Sequence, residues 1–258
     1  MEQNQINRMP IKAHPYEHQR QAYEFACRLF GLTGHDPPTS RGVALLMEMV
    51  TGKSLTTIAV AGRLWIDRKV ERMLIVAPLS ILGVWQEEFL KFADFEYSLI
   101  LLNGSESKKI EKMRQISTHS LQVAVINYES AWRLEKELTA WDVDLIVCDE
   151  GHKIKTHNIA ASKCMHRLGV KARYRMLLTG TIITNKAIDV FSPYKFLSPA
   201  VFGNSFYAFR NRYFDMCGYG MHTPILKKGM ADELSRRIHS IAFRATKAEC
   251  LDLPETTE

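Results

Sequence analysis

The chain has 258 residues, 46% of them hydrophobic and 24% charged, a profile that belongs to a folded domain with a substantial core and excludes a disordered or fibrous polymer. Its 34 basic and 28 acidic side chains give a formal charge of +6, which permits a polyanionic partner such as nucleic acid and demonstrates none. Five cysteines (Cys27, Cys148, Cys164, Cys217 and Cys250) are widely spaced and never form a CxxC pair, which argues against a disulfide scaffold or a zinc site and for a reducing compartment.

No apolar run approaches the roughly 20 residues that a membrane helix needs, and the opening Met1-Glu2-Gln3-Asn4-Gln5-Ile6-Asn7-Arg8 lacks the apolar centre of a signal peptide. The expected location is therefore the cytoplasm, with no membrane partner. Residues 1–14 are polar and read as an arm or edge strand. From Tyr16 to Phe30, apolar and aromatic positions recur at helical spacing, and Gly31 and Gly34 end that helix before a loop at 35–40.

Strands and helices then alternate. Apolar strands are predicted at Val43 to Met47, Met73 to Ala77, Ser98 to Leu102, Gln122 to Ile126, Leu145 to Cys148 and Arg175 to Leu178. Between them fall helices from Leu55 to Asp67, from a Ser80 cap to Phe92 with Glu87 and Glu88 on its wet side, from Ser107 to Ile116, from Ser130 to Leu138 and from Ala160 to Leu168. Short strands that are apolar throughout are buried on both faces, so the fold class is α/β, a mainly parallel sheet with helices on both faces. Right-handed crossovers bring every strand's C-terminal end to one edge of such a sheet, where α/β proteins bind ligands. The last 70 residues are more helical and aromatic. Interleaved with Arg210 and Arg212, those rings read either as a base-stacking surface or, more simply, as helix packing. Ile241 to Arg244 reads as one more strand.

The chemistry falls at that edge. Glu48-Met49-Val50-Thr51-Gly52-Lys53-Ser54 passes from strand through turn to helix, the layout in which backbone N–H groups and a helix N-terminus face a phosphate. Lys53 there can reach the β- and γ-phosphates of a nucleotide, and the Ser54 hydroxyl can ligate Mg²⁺. A merely solvated lysine would oppose the helix dipole. Measured against the full phosphate-loop pattern, Met47 and Val50 stand where glycine is usual. Asp149-Glu150 follows a strand directly. The first carboxylate is placed to hold Mg²⁺ through water and the second to orient or deprotonate an attacking water. The alternative, a solvated acidic pair, fits poorly after an apolar strand and before Gly151-His152.

These segments together resemble superfamily 2 helicases and translocases, and within them the SNF2-like branch in the form common in phage and bacteria. Asp149-Glu150-Gly151-His152 is similar to the DExH box, Pro15-Tyr16-Glu17-His18-Gln19 to the adenine-recognising Q motif, and residues 48–54 to motif I. Ala77-Pro78-Leu79-Ser80-Ile81-Leu82-Gly83-Val84-Trp85 resembles motif Ia, Asn127-Tyr128-Glu129 the segment after the next strand, and Leu178-Thr179-Gly180-Thr181-Ile182-Ile183-Thr184-Asn185 motif III. Arg244-Ala245-Thr246-Lys247 looks like the end of a first lobe.

The resemblance implies a P-loop NTPase of RecA-like fold, with a lobe over 15–200 and an aromatic-rich, helical extension over 201–258. It implies an ATP hydrolase that couples turnover to movement on double-stranded DNA. ATP and Mg²⁺ would be bound by Gln19, Glu48, Met49, Val50, Thr51, Gly52, Lys53, Ser54 and Leu55, with Ser54 and Asp149 as the metal's protein oxygens and Lys53, Asp149 and Glu150 in the reaction. Pro78, Leu79, Ser80, Asn127 and Tyr128 would lie along a nucleic-acid strand. His152, Thr179, Gly180 and Thr181 would couple the two.

Three departures qualify this expectation. Val50 replaces the family's glycine in a turn that wants positive φ, which is costly for a β-branched residue. Ile182 replaces a proline. The chain to Glu258 has room for one RecA-like lobe, so a second lobe, whose arginines would reach the γ-phosphate, is an expected partner. The expectation is then a lobe that binds ATP weakly and hydrolyses it negligibly alone. Two other classes compete: a degenerate lobe serving as a nucleic-acid or protein binding module, and a small-molecule P-loop kinase, which leaves Asp149 to His152 and the Thr179 segment unexplained.

Overall fold

The computed structural model describes residues 8–34, 37–117, 119–180, 186–218, 220 and 223–250. In chain order its first strands are β1 (Gly42–Met47), β2 (Arg72–Ala77), β3 (Tyr97–Leu101), β4 (Leu121–Asn127), β5 (Leu145–Asp149) and β6 (Tyr174–Thr179). Strands β7 (Phe214–Cys217) and β8 (Thr223–Leu226) form a separate antiparallel hairpin, and β9 (Ala242–Ala245) returns to the main sheet. The main sheet has seven strands in the order β3-β4-β2-β5-β6-β1-β9, and every neighbouring pair is parallel.

Helices cover the sheet: α1 (Glu17–Leu29), α2 (Lys53–Ile66), α3 (Leu82–Phe92), α4 (Glu106–Arg114), α5 (Tyr128–Arg133), α6 (Glu135–Ala140) and α7 (Ala160–Lys171), then α8 (Phe191–Leu197), α9 (Pro199–Phe202), α10 (Phe206–Tyr213), α11 (Ala231–His239) and α12 (Lys247–Cys250). Strands β1, β5 and β6 are buried at every position, whereas β3 at the sheet edge is half-buried along its length. Continuous apolar sequence is what such central strands require, because helices shield both faces, and each buried Leu, Ile or Val contributes about 1.5–3 kcal/mol. None of the helices among the described residues is long and apolar enough to cross a membrane.

The expected elements form, with local corrections. Ser80 does not cap a helix: Leu79–Ile81 is a 3₁₀ turn after the extended Pro78, and α3 begins at Leu82. The helix expected from Ser130 to Leu138 is two helices separated at Leu134. Glu87 is exposed as expected, but Glu88 is half-buried on the face of α3 turned inward. The β7–β8 hairpin interrupts a stretch read as helical. Most of the aromatic side chains there pack inward: Phe191, Tyr194, Phe196, Phe202, Phe209, Tyr213 and Phe214 are all buried. Among the described rings of that stretch, Tyr207 is the exposed one, with the Arg210 guanidinium 5.1 Å from its centroid. Packing, rather than a stacking platform, accounts for these residues.

Candidate nucleotide site

The loop 48–52 leaves β1 and turns straight into α2. Gly52 precedes the first helical residue at φ 96°, and no side chain caps this helix nor does any acidic residue occupy its first turn. The leading N–H groups of α2 and its positive dipole end therefore face the loop without a side-chain acceptor, which suits an anion. A Cβ on Gly52 would collide with the Gln19 amide, so glycine is needed here for space as well as for its left-handed backbone.

Gln19 is a buried brace of this loop. Its Nε2 donates to the Thr51 carbonyl at 3.1 Å, its Oε1 accepts the Tyr16 N–H at 3.0 Å, and His18 Nε2 lies 2.8 Å from the same Thr51 carbonyl. The Thr51 hydroxyl donates to the Glu48 carbonyl at 2.7 Å. Lys53 Nζ donates to the carbonyls of Met47 at 2.9 Å and Glu48 at 3.2 Å. Burial pulls the Lys53 ammonium below its ordinary pKa, opposed by the nearby carboxylates of Glu150, Asp149 and Glu48. Val50 stands at φ 72° and is 84% exposed. The loop thus takes the positive φ that glycine would supply, with a β-branched residue in its place. Met49 is exposed, Ser54 half-buried and Leu55 buried.

The acidic pair lies at the end of β5, with Leu46 of β1 paired to Thr179 of β6 and Asp149 of β5 paired to Leu178 of β6. Asp149 is 8% exposed, and both carboxylate oxygens have donors: the Glu150 N–H reaches Oδ1 at 2.9 Å and the Trp85 indole N–H reaches Oδ2 at 3.0 Å. Burial raises the pKa of Asp149, and these two hydrogen bonds oppose the rise. Glu150 takes a left-handed backbone at φ 49°, ψ 54° and its Oε2 lies 3.2 Å from His152 Nδ1. Such a conformation in a non-glycine residue is costly and concentrates at functional sites. Gly151 is required beside it, because a Cβ there would run into the Leu177 side chain.

Other expected residues divide. Pro78 is half-buried and Leu79 and Ser80 exposed at the end of β2, and Asn127 is half-buried at the end of β4. Tyr128 does not share their surface. It is 9% exposed and its hydroxyl donates to the Asp149 carbonyl at 2.7 Å, so the ring that was expected along a nucleic-acid strand supports the acidic residue from inside. Thr179 is buried and Gly180 lies close to the backbone of Met47 and Glu48. Thr181 and Ile182 lie outside the described residues.

Sequence reasoning missed four contributors. Trp85 and His18 entered it only as members of longer segments. Glu88 has Ser54 beside it, which opposes the rise that burial imposes on its carboxyl. The Lys247 N–H donates to Glu48 Oε2 at 2.9 Å across 199 residues of sequence. A cavity of about 430 Å³ adjoins the loop at Glu48 and is lined also by Leu46, Gly180, Leu234, Ile238 and Arg244. It is walled by β9 and α11 and is not lined by Lys53 or the acidic pair.

As a donor set, Ser54 and Asp149 supply hard oxygens suited to Mg²⁺. Among the described residues no cluster of three or more His, Cys, Asp or Glu side chains could hold a metal by itself.

A seven-stranded parallel sheet carrying a phosphate-type loop after β1 and an acidic pair at the end of β5 defines a RecA-like P-loop domain. Residues 10–258 match the SNF2-related domain family, and the chain belongs to that family. It is 31% identical over 206 residues to the Arabidopsis thaliana protein "Probable ATP-dependent DNA helicase CHR23", covering 78% of this chain and 19% of that protein. It is 28% identical over 222 residues to "Chromodomain-helicase-DNA-binding protein 1-like" of Danio rerio, covering 84% of this chain and 21% of that protein. Among solved structures it superposes on the Sulfolobus solfataricus SWI2/SNF2 ATPase core in complex with dsDNA with a TM-score of 0.72 at 30% identity, covering 95% of this chain and 48% of that one. The chain thus spans about a fifth of these curated relatives and about half of the solved core.

Proposed function

We propose that this chain is the ATP-binding lobe of an SNF2-type DNA-dependent ATPase or translocase. The observation that carries the reading is the meeting of Gln19, Lys53 and Asp149-Glu150 at one sheet edge, with the uncapped start of α2 between them. In this reading residues 48–55 cradle the phosphates, Gln19 shapes the loop beside the adenine, and Lys53 exchanges its two neutral carbonyl partners for phosphate oxygens. Ser54 and Asp149 would hold Mg²⁺, which when bound neutralises phosphate charge. Glu150, kept in place by its strained backbone and by His152, orients the attacking water and accepts its proton. Pro78, Leu79, Ser80 and Asn127 face the nucleic acid, and Thr179, Gly180 and Thr181 with His152 report that contact to the site.

Double-stranded DNA is the partner favoured by the likeness to a core solved with dsDNA, and the half coverage of that core supports a second RecA-like lobe as the other. Arginines from that lobe would complete the γ-phosphate site, an effect that can be worth roughly 10³–10⁵ in rate; turnover by this lobe alone is then negligible. A cytoplasmic protein of a bacterial or phage-infected cell remains our proposal for its setting.

Titration of ATP·Mg²⁺ into the chain and into Lys53→Ala, each with and without a DNA duplex, tests the reading. Saturable binding lost in Lys53→Ala supports it, and equal binding by both refutes it. The strained Val50 favours a second reading, a lobe that has lost turnover and keeps its docking surface. Absence of DNA-stimulated ATP hydrolysis in a chain extended through a second lobe would select that one.

A further inference from the structure

We propose that Trp85 is a positioning residue that joins the surface segment Pro78, Leu79 and Ser80 to the carboxylate of Asp149, while Tyr128 ties the segment at Asn127 to the same residue's backbone. The proposal rests on the functional reading above and extends it to two buried side chains.

The geometry is specific. Trp85 is 2% exposed and stands in the first turn of α3, which starts directly after the 3₁₀ turn that follows Pro78. An indole has one hydrogen to donate, and Trp85 spends it on Asp149 Oδ2 at 3.0 Å, 64 residues away. The Phe89 ring, 6.5 Å away between centroids and one helical turn on, packs beside the indole. Tyr128 is the first residue of α5, immediately after Asn127, and its hydroxyl reaches the Asp149 carbonyl at 2.7 Å. Two surface segments, at the ends of β2 and β4, therefore each send one buried side chain to a single acidic residue on β5. A packed interior is not continuously deformable, so a displacement of α3 moves the indole and, through its only hydrogen bond, the carboxylate.

A purely structural role for the pair predicts loss of stability and nothing more. A positioning role predicts a change at the metal. Outer-shell partners of a ligating carboxylate are typically worth about 10–100-fold in metal affinity.

The test combines a variant with a measurement on the unsubstituted chain. Binding of ATP at millimolar concentration is followed across a Mg²⁺ titration and in EDTA for the chain and for Trp85→Phe, which keeps a ring and removes the N–H. We expect the Mg²⁺ midpoint to rise about 10–100-fold with affinity in EDTA unchanged. Because the variant can also loosen the fold, the ¹⁵N–¹H indole resonance of Trp85, assigned through its contact with Phe89, is followed in the unsubstituted chain during titration with a DNA duplex and no nucleotide. It should shift as the duplex binds. An unmoved Mg²⁺ midpoint in Trp85→Phe, or a duplex that binds and leaves the resonance in place, overturns the proposal. A chain that binds neither nucleotide nor duplex overturns the functional reading and this proposal with it.

Discussion

Lys53 Nζ and the Met47 carbonyl oxygen lie 2.9 Å apart, so the loop's cation is anchored on the last residue of the strand that launches the loop. The loop is wound tightly around that contact, and Val50 at its tip takes the left-handed backbone at φ 72°. For an L-residue with a Cβ this conformation costs roughly 1–2 kcal/mol, and glycine in its place would return about 0.5–1 kcal/mol of that to unfolded-state entropy. Val50 is exposed and loses no packing on replacement. Val50→Gly should therefore raise the unfolding free energy by about 0.5–1 kcal/mol in urea denaturation and tighten ATP·Mg²⁺ binding. Equal, tight binding by both chains would sink the strain argument.

Glu48 links the loop to the far end of the chain through the Lys247 N–H. A hydrogen bond to a charged acceptor contributes about 1.5–3 kcal/mol. Glu48→Ala should accelerate amide exchange at Lys247 by at least about tenfold, while Glu48→Gln, which keeps an acceptor oxygen, should accelerate it less. Unchanged exchange in Glu48→Ala would show that the segment is held by something else.

Gly151 is enclosed by Leu177 of β6. Gly151→Ala overpacks this contact and should cost about 1–3 kcal/mol of stability. In a Leu177→Ala background the same substitution should cost clearly less, since the obstructing atoms are gone. A cost that adds unchanged in the double variant would argue against direct collision.

His166 supplies a pH dependence away from the site. It is buried in α7 with Nε2 2.9 Å from the Ser192 carbonyl. Burial lowers its pKa from 6.5 to about 4, the Ser192 carbonyl acting against the shift. Between those values the unfolded chain binds a proton that the folded chain refuses, so the folded state loses stability as pH falls from about 6.5 towards 4, by up to about 3 kcal/mol. Above 6.5 both states are neutral and this contribution is level. Urea midpoints at pH 7.5, 5.5 and 4.5 should fall more steeply for the unsubstituted chain than for His166→Gln. Parallel slopes would remove His166 from the explanation.

Much of the architecture could be read from local pattern. Val43 to Met47 and Leu145 to Cys148 are apolar throughout, and Arg175 to Leu178 is apolar after its first residue; each proved to be a central strand buried along its length. The β7–β8 hairpin escaped because its strands are four residues long and their burial is irregular; Gly218 and Gly220, both at positive φ between them, were the available turn signal. Glu88 was read as solvated because helical spacing marks a face without saying what packs on it.

What the amino-acid order determined by itself is the local layer: the strand and helix periods, the glycine and lysine at the start of α2, and the acidic pair at a strand end. These follow from backbone sterics and side-chain chemistry within a few residues. Tertiary structure alone decided the strand order that places β1 two strands from β5, the inward turn of Tyr128, and the reach of Trp85 to Asp149 and of Lys247 to Glu48. Those contacts join residues from 21 to 199 positions apart, and no local pattern encodes them. They arise when helices on the two faces compete for the same buried space and each buried polar atom must find its partner there.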